Sequence, residues 1–296
     1  MSWARFKRLS SKKDLTRYRR ATTFDGGGGG GPVPLLDTNP GASVAYSLRL
    51  LSSTYSGSAI RVRRSSDNAE QDIGFSGGIL DTASLLSFCG AGSGYVTTWY
   101  DQSGNTNDNI QSTLLEQPTI VASGNLETIN SLPAINYPAG TFTATALYDV
   151  VSQSVFTVSQ ISTFLSLQSL IAWQSQVYGQ PPNLGTAGPW IRSEAPNYYR
   201  TPTTNGSDVN DLTYNGGAMY FNGSLHTVTD SILNPNILSS FAPSAFTRRF
   251  GISDITGFLR WMRGKMSECI VYPTSQESGY RSAIESDMSS HYSISI

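Results

Sequence analysis

Residues 95–109 read YVTTWYDQSGNTNDN, and no other stretch restricts the fold as much. The first six positions are β-branched or aromatic and alternate as a half-buried strand does. They then stop at a run of Asp, Ser, Gly and Asn, the residues that build turns. A core strand therefore delivers a polar loop to one rim of a sheet. The rest of the chain repeats this rhythm: only 14% of its residues are charged, while Gly (28) and Tyr (15) are abundant, as short strands joined by many turns require. No βαβ alternation appears, so the layers are antiparallel sheets.

In chain order, 42–51 carries Ala45, Leu48 and Leu51 at helical spacing and is expected to be a short helix. Residues 58–64 alternate Ile60 and Val62 against Arg61 and Arg63, a strand with one wet side. Asp81 is placed to cap a helix over 81–88. Strands are expected over 118–121, 134–137, 154–160 and 167–173, then over 248–253 and 266–272. Asn222-Gly223 sits between two β-rich runs in 218–228, a hairpin signal. The box Thr274-Ser-Gln-Glu277 is expected to open a last helix with Tyr280, Ile284 and Met288 four apart.

The net charge of -1 conceals a division. Arg5, Lys7, Arg8, Lys12, Lys13, Arg17, Arg19 and Arg20 stand against the single acid Asp14, so residues 1–20 carry +7 and the remainder -8. Trp3 and Phe6 interleave with these cations. Such a segment suits phosphates, a membrane surface or a grooved protein partner, the last being favoured, unless it is a solvated tail. Six glycines, Gly26–Gly31, follow and end at Pro32-Val33-Pro34, a stretch with too much conformational freedom to hold a fixed shape alone. The expected organisation is an arm (1–25), a hinge (26–34) and one large domain (35–296). No apolar run is long enough to cross a membrane, and the N-terminus lacks the apolar core of a secretory signal. Cys89 and Cys269 either form one bridge or, as favoured, stay as two buried thiols.

Three segments carry a family resemblance: SLRLLSSTYSGSAIRVRRSSDNAEQDIGF (47–75), DTASLLSFCGAGSG (81–94) and the loop-bearing strand already described. Together they resemble the catalytic-domain core of the fungal α-L-arabinofuranosidase B family, and equally the concanavalin A-like (laminin-G-like) sandwiches of phage virion proteins. The resemblance implies an all-β jelly-roll sandwich of two antiparallel sheets with a few short helices, behind the basic arm. It also places Gly188-Pro-Trp-Ile191 where that enzyme family leads into its nucleophilic Glu. Here Glu194 falls two residues earlier than the nucleophile is expected and Pro196 occupies its place. Cys89 matches the family's first half-cystine, and Gly94 stands where the second belongs.

The arm-hinge-domain layout and the resemblance to virion proteins, with those departures from the enzyme pattern, give the expectation of a non-enzymatic phage virion protein, a tail or head fibre, spike or decoration subunit assembled in the host cytoplasm. Its arm residues (Trp3, Arg5, Phe6, Lys7, Arg8, Lys12, Lys13, Arg17, Arg19, Arg20) would dock on other virion proteins, and copies of the chain would form a homo-oligomer. Nucleic acid would be met only through the arm. The sandwich would bind a host-surface glycan through aromatic platforms beside polar groups: Trp99, Asp101, Asn105, Trp190, Arg192, Glu194, Tyr198 and Tyr199. The alternative is a glycoside hydrolase similar to α-L-arabinofuranosidases, with Glu194 as its catalytic residue. No cofactor is expected. Asp101, Ser103, Asn105 and Asn107 offer alternate oxygens as a calcium loop does, but no bidentate Glu follows, and an Asx-turn loop is the competing account.

Overall fold

The computed structural model describes residues 33–137, 149–161, 168–174, 191–194, 198–200, 218–221, 224–225, 236–252 and 263–296. The arm and nearly all of the hinge lie outside them, as does Trp190. In chain order the strands are β1 (Val44–Ser47), β2 (Ile60–Arg64), β3 (Glu70–Ile73), β4 (Phe75–Ser76), β5 (Ile79–Leu80), β6 (Gly94–Trp99), β7 (Asn109–Ile110), β8 (Thr119–Ala122), β9 (Asn125–Leu126) and β10 (Thr128–Ile129). They continue as β11 (Leu132–Pro133), β12 (Ile135–Tyr137), β13 (Asp149–Ile161), β14 (Gln168–Gln174), β15 (Ile191–Glu194), β16 (Tyr198–Arg200), β17 (Ala218–Phe221), β18 (Ser224–Leu225), β19 (Asn236–Ile252) and β20 (Gly264–Tyr272). Among the described residues three α-helices accompany them: α1 (Leu35–Thr38), α2 (Thr82–Cys89) and α3 (Arg281–Tyr292).

Every described pairing of named strands is antiparallel, and the fold is all-β, as the turn-rich composition implies. One run of neighbours, β12-β8-β6-β2-β3, meets another, β20-β13-β19-β14-β15-β16, at β20. The handover has a local cause. β20 pairs with β12 up to Met266 and with β1 from Glu268 onward, and Ser267 is an extra residue between them, since Ser159 faces Met266 while Val158 faces Glu268. Such a bulge reverses which side of the sheet the following residues occupy. Met266, Cys269 and Val271 enter one core with Trp99, Tyr46 and Ile60, and Ile270 and Tyr272 enter a second core beneath α3.

The 42–51 expectation is corrected. Val44–Ser47 is a strand with all four residues buried, because Val44 and Tyr46 face the first core and Ala45 the second. A strand covered on both faces loses the apolar-polar alternation that would have revealed it. Helix α2 forms as expected, with the Asp81 side chain accepting from the Ser84 N–H at 3.1 Å. Tyr220 faces Leu225 and Phe221 faces Ser224, the register of a two-residue hairpin loop, although Asn222 and Gly223 themselves lie outside the described residues. The last helix begins later than expected, at Arg281. The residues of the anticipated box instead fix the turn before it: the Gln276 N–H donates to Ser154 Oγ at 2.9 Å and Gln276 Nε2 to Thr274 Oγ1 at 2.9 Å.

The bulge aims Glu268 at α3, where it is fully buried. Its carboxylate accepts from Arg49 Nε (2.8 Å) and Nη2 (3.0 Å), Ser47 Oγ (2.9 Å) and Tyr292 Oη (2.9 Å). Arg49 Nη2 also lies 2.5 Å from Asp287 Oδ1, a charge contact without hydrogen-bond alignment. Burial alone would raise the Glu268 pKa, but the Arg49 charge and hydrogen bonds hold it below the usual carboxylate range. Burial, and then the charge of Arg49, push His291 on α3 down to about 4.

His291 therefore folds neutral, and the unfolded chain takes up a proton first as the pH falls. Stability that is complete above about pH 6.5 is expected to be lost progressively down to about pH 4, by roughly 3 kcal/mol at most. Asp287 and Glu285, both raised chiefly by burial, oppose part of this loss, while Glu268 adds to it at lower pH. Urea midpoints from pH 7 to pH 4 measure the slope, and His291→Gln should flatten it. A slope unchanged by that substitution contradicts the assignment to His291.

Candidate functional site

The loop that leaves β6 is built around Asp101, which is 4% exposed. Its carboxylate accepts from the Ala45 N–H (2.8 Å), the Ser103 N–H (2.9 Å), Ser103 Oγ (2.7 Å) and the Asn107 N–H (3.1 Å). Asn105 Nδ2 donates to the carbonyls of Ala42 (3.0 Å) and Ser43 (3.1 Å), and Asn107 Nδ2 to that of Ser43 (3.1 Å). Gln102 completes the clasp, accepting from the Leu51 N–H and donating to the Ser47 and Arg49 carbonyls. These side chains serve the backbone, as the Asx-turn account of the loop has it, and the Asp101 carboxylate is committed to that role. No group of three or more His, Cys, Asp or Glu able to hold a metal occurs among the described residues.

Trp99 is also corrected as a sugar platform: it is 0% exposed and packs on Tyr46 at 5.7 Å between ring centroids. Across the ladder it faces Asn109, and neither Trp99 Nε1 nor the Asn109 amide finds a hydrogen-bond partner among the described residues. A buried amide left unsatisfied is costly, and Asn109→Leu is expected to raise stability by about 1–2 kcal/mol in chemical denaturation. A loss of stability would show that the amide is satisfied in solution.

A second group lies at the rim where this loop meets β2 and β3. Tyr100 Oη donates to Asp72 Oδ1 at 2.7 Å, and Arg61 Nη1 reaches both Asp72 oxygens at 3.2 Å. Tyr55 Oη donates to the Ser58 carbonyl, and its ring meets Phe75 edge-on at 6.4 Å. Burial, and then Asp108 and Asp101, raise the Tyr55 phenol to about 12; burial and Asp72 do the same for Tyr100. Asp108 accepts from the Asp101 N–H at 2.9 Å, and its pKa is raised by burial and by the charge of Asp101. Sequence reasoning missed this rim, whose residues come from four separate segments and share no motif.

Glu194 and its neighbours are placed by their backbone. β15 pairs with β14 and β16, bringing Glu194 opposite Tyr198, Ser193 opposite Tyr199 and Arg192 opposite Arg200. Glu194, Arg192 and Tyr198 thus hold register positions on one face of the hairpin, and Tyr199 one on the other. Trp190 lies just before the first strand, outside the described residues. The Asp101 loop opens from the β12-to-β3 run and the Glu194 hairpin lies at the far end of the other.

Both cysteines are free and buried. A Cβ built on Gly94 would lie 2.6 Å from Cys89 Sγ, somewhat closer than the ~3 Å of a bridge, so a bridge there needs only a small turn of the Cys89 side chain. Gly94→Cys is expected to oxidise to an 89–94 disulfide, leaving Cys269 as the single thiol titrated in denaturant. The oxidised variant should be more stable than its reduced form by ~2 kcal/mol. Three titratable thiols under oxidising conditions would contradict this geometry.

The family model for the catalytic domain of α-L-arabinofuranosidase B matches residues 37–155, less than half of the chain. No curated protein matches the sequence. Among solved structures, the chain is similar to a variant of a GH54 α-L-arabinofuranosidase soaked with 4-nitrophenyl α-L-arabinofuranoside, at 15% identity and a TM-score of 0.56. It is likewise similar to an arabinofuranosidase complexed with arabinofuranosyl-α-1,2-xylobiose (16%, 0.55) and to a GH54 α-L-arabinofuranosidase soaked with a cyclic sulfate inhibitor (15%, 0.52). Each match covers 86% of this chain, which spans 64% of the length of the matched chain.

These findings overturn the expectation of a non-enzymatic virion protein, and with it the virion location. That reading rested on the arm-hinge-domain layout and the likeness to virion proteins, with Pro196 and Gly94 departing from the enzyme pattern, whereas the family model and the matched structures are those of arabinofuranosidases. The chain shares the β-sandwich fold of arabinofuranosidase catalytic domains.

Proposed function

We propose that this chain is a glycoside hydrolase acting on α-L-arabinofuranosides. The observation that carries the reading is the family-model match over 37–155, a block that includes β1, the clasped Asp101 loop and most of the first core. Hydrolysis of a glycosidic bond needs two carboxyl groups flanking it, one able to donate a proton. Several described carboxylates are committed to structure: Glu268 to Arg49, Glu285 to Ser239 and Arg281, Glu127 to Lys265 and Asn136, Asp81 to its helix, and Asp101 to its loop. Glu194 stays the candidate for one of the catalytic pair. Arg192 and Tyr198, at register positions on its face of the hairpin, are of the hydrogen-bonding and aromatic types that a furanose requires. The test is release of 4-nitrophenol from a panel of aryl glycosides. Turnover of the α-L-arabinofuranoside above the others is expected, and turnover of none of them contradicts the reading.

A further inference from the structure

We propose that the rim built by Tyr55, Arg61, Tyr100 and Asp108 is a binding surface for a neutral, 1,4-linked pyranose chain, the kind of main chain that carries arabinofuranosyl branches. The choice of sugar rests on the hydrolase reading, and the surface itself rests on three observations. The first is how the rings are held. Tyr55 Oη donates to the Ser58 carbonyl at 2.8 Å, and its ring meets Phe75 edge-on. The phenol also lies so close over Gly57 that a Cβ built there would come within 2.5 Å of Oη and 2.7 Å of Cζ. Only glycine at 57 leaves the ring this place. Tyr100 is fixed through its hydroxyl, which donates to Asp72, itself paired with Arg61. Both rings stay partly exposed, and groups already settled in one orientation lose little freedom when a flat ligand covers them.

The second observation is the set of polar groups beside the rings. Asp108 and Tyr100 stand within electrostatic reach of Tyr55. Asp108 is half-buried and accepts from the Asp101 N–H through Oδ1, and its Oδ2 has no partner among the described residues. Arg61 is locked between Glu70 (2.6 Å) and Asp72 (3.2 Å), and its guanidinium has more N–H groups than these pairings use. A sugar takes up this combination: its C–H face lies on a ring, a hydroxyl donates to the carboxylate and another accepts from the guanidinium.

The third is the sign of the charge. Among the described residues, the charged groups acting on the two phenols are Asp72, Asp101 and Asp108 against Arg61, a net negative rim. A uronate chain is repelled there and a neutral one is not. A chain of xylose-type rings fits best, because its hydroxyls are equatorial and both faces of each ring are flat C–H surfaces.

Xylohexaose, which has no arabinofuranosyl branch for a hydrolytic site to grip, is titrated into the full chain by calorimetry, with an oligogalacturonate of the same length as the acidic comparator. Xylohexaose is expected to bind at least about tenfold tighter than the comparator. Tyr55→Ala should weaken it by about tenfold, the effect of removing one stacked ring. Gly57→Ala keeps the tyrosine but displaces its ring, moving only the tip of a side chain, and should weaken binding as much with far-UV circular dichroism unchanged. Turnover of 4-nitrophenyl α-L-arabinofuranoside, measured on the same samples, should be equal in all three proteins. Its absence from all three would overturn the hydrolase reading, while the calorimetry still decides the rim. No binding of xylohexaose, binding indifferent to either substitution, or an oligogalacturonate bound as tightly would overturn the proposal.

Discussion

Glu194→Gln is expected to lower kcat on 4-nitrophenyl α-L-arabinofuranoside by about 10³-fold or more, with the fold and thermal midpoint unchanged. Gln is nearly isosteric with Glu but can neither attack an anomeric carbon nor accept a proton. Glu194 occupies a short hairpin at the end of the sheet path and not the packed centre, so its replacement should cost little stability. KM should move far less than kcat, since the group acts chiefly in the transition state. A variant with wild-type kcat would remove Glu194 from the chemistry. The sequence offset bears on this result, because Glu194 sits two residues before the position where the family resemblance expects the nucleophile. Pro196→Glu is the natural companion: activity rising in that variant, and not falling in Glu194→Gln, would place the catalytic position at 196.

The second large effect is structural. Arg49→Met should destabilise the protein by about 3–5 kcal/mol, because Glu268, with no exposed surface, is left charged without its counter-ion or must bind a proton. Arg49→Met combined with Glu268→Leu should recover most of that loss, since the desolvation cost disappears together with the attraction. Urea unfolding with an unchanged m-value reads both. A single substitution costing under about 1 kcal/mol would mean that water reaches Glu268 and the cage under α3 is open.

The sequence declared the elements whose pattern is local. The strand carrying Ile60 and Val62, the Asp81 cap and the two-residue spacing at Asn222-Gly223 each need only their neighbours, and the structure has them, although Arg63 is buried against Gln117 where a wet side was expected. What failed was decided at long range. Ala45, Leu48 and Leu51 are spaced like a helix face, yet the segment pairs with residues 268–271 of β20, which no local pattern reveals. The same pairing creates the Arg49–Glu268 cage, whose one sequence signal was a charge set within each of two otherwise apolar runs. At the candidate site, the residue types around Glu194 were legible, as was the polar character of the 101–109 loop. That Trp99 and Asp101 point inward was not, because an aromatic residue and a carboxylate beside a turn read alike whether they serve a ligand or their own backbone.

The account depends most on an arabinofuranoside-cleaving carboxylate seated in this sandwich. Incubating the chain with an arabinofuranose-configured cyclic sulfate, an electrophile that traps an enzymic nucleophile, and measuring intact mass and then peptide masses addresses that directly. The account predicts one adduct per chain, located on Glu194 and prevented by excess arabinose-containing substrate. No adduct, or one placed on a carboxylate outside the 191–200 hairpin, would contradict it.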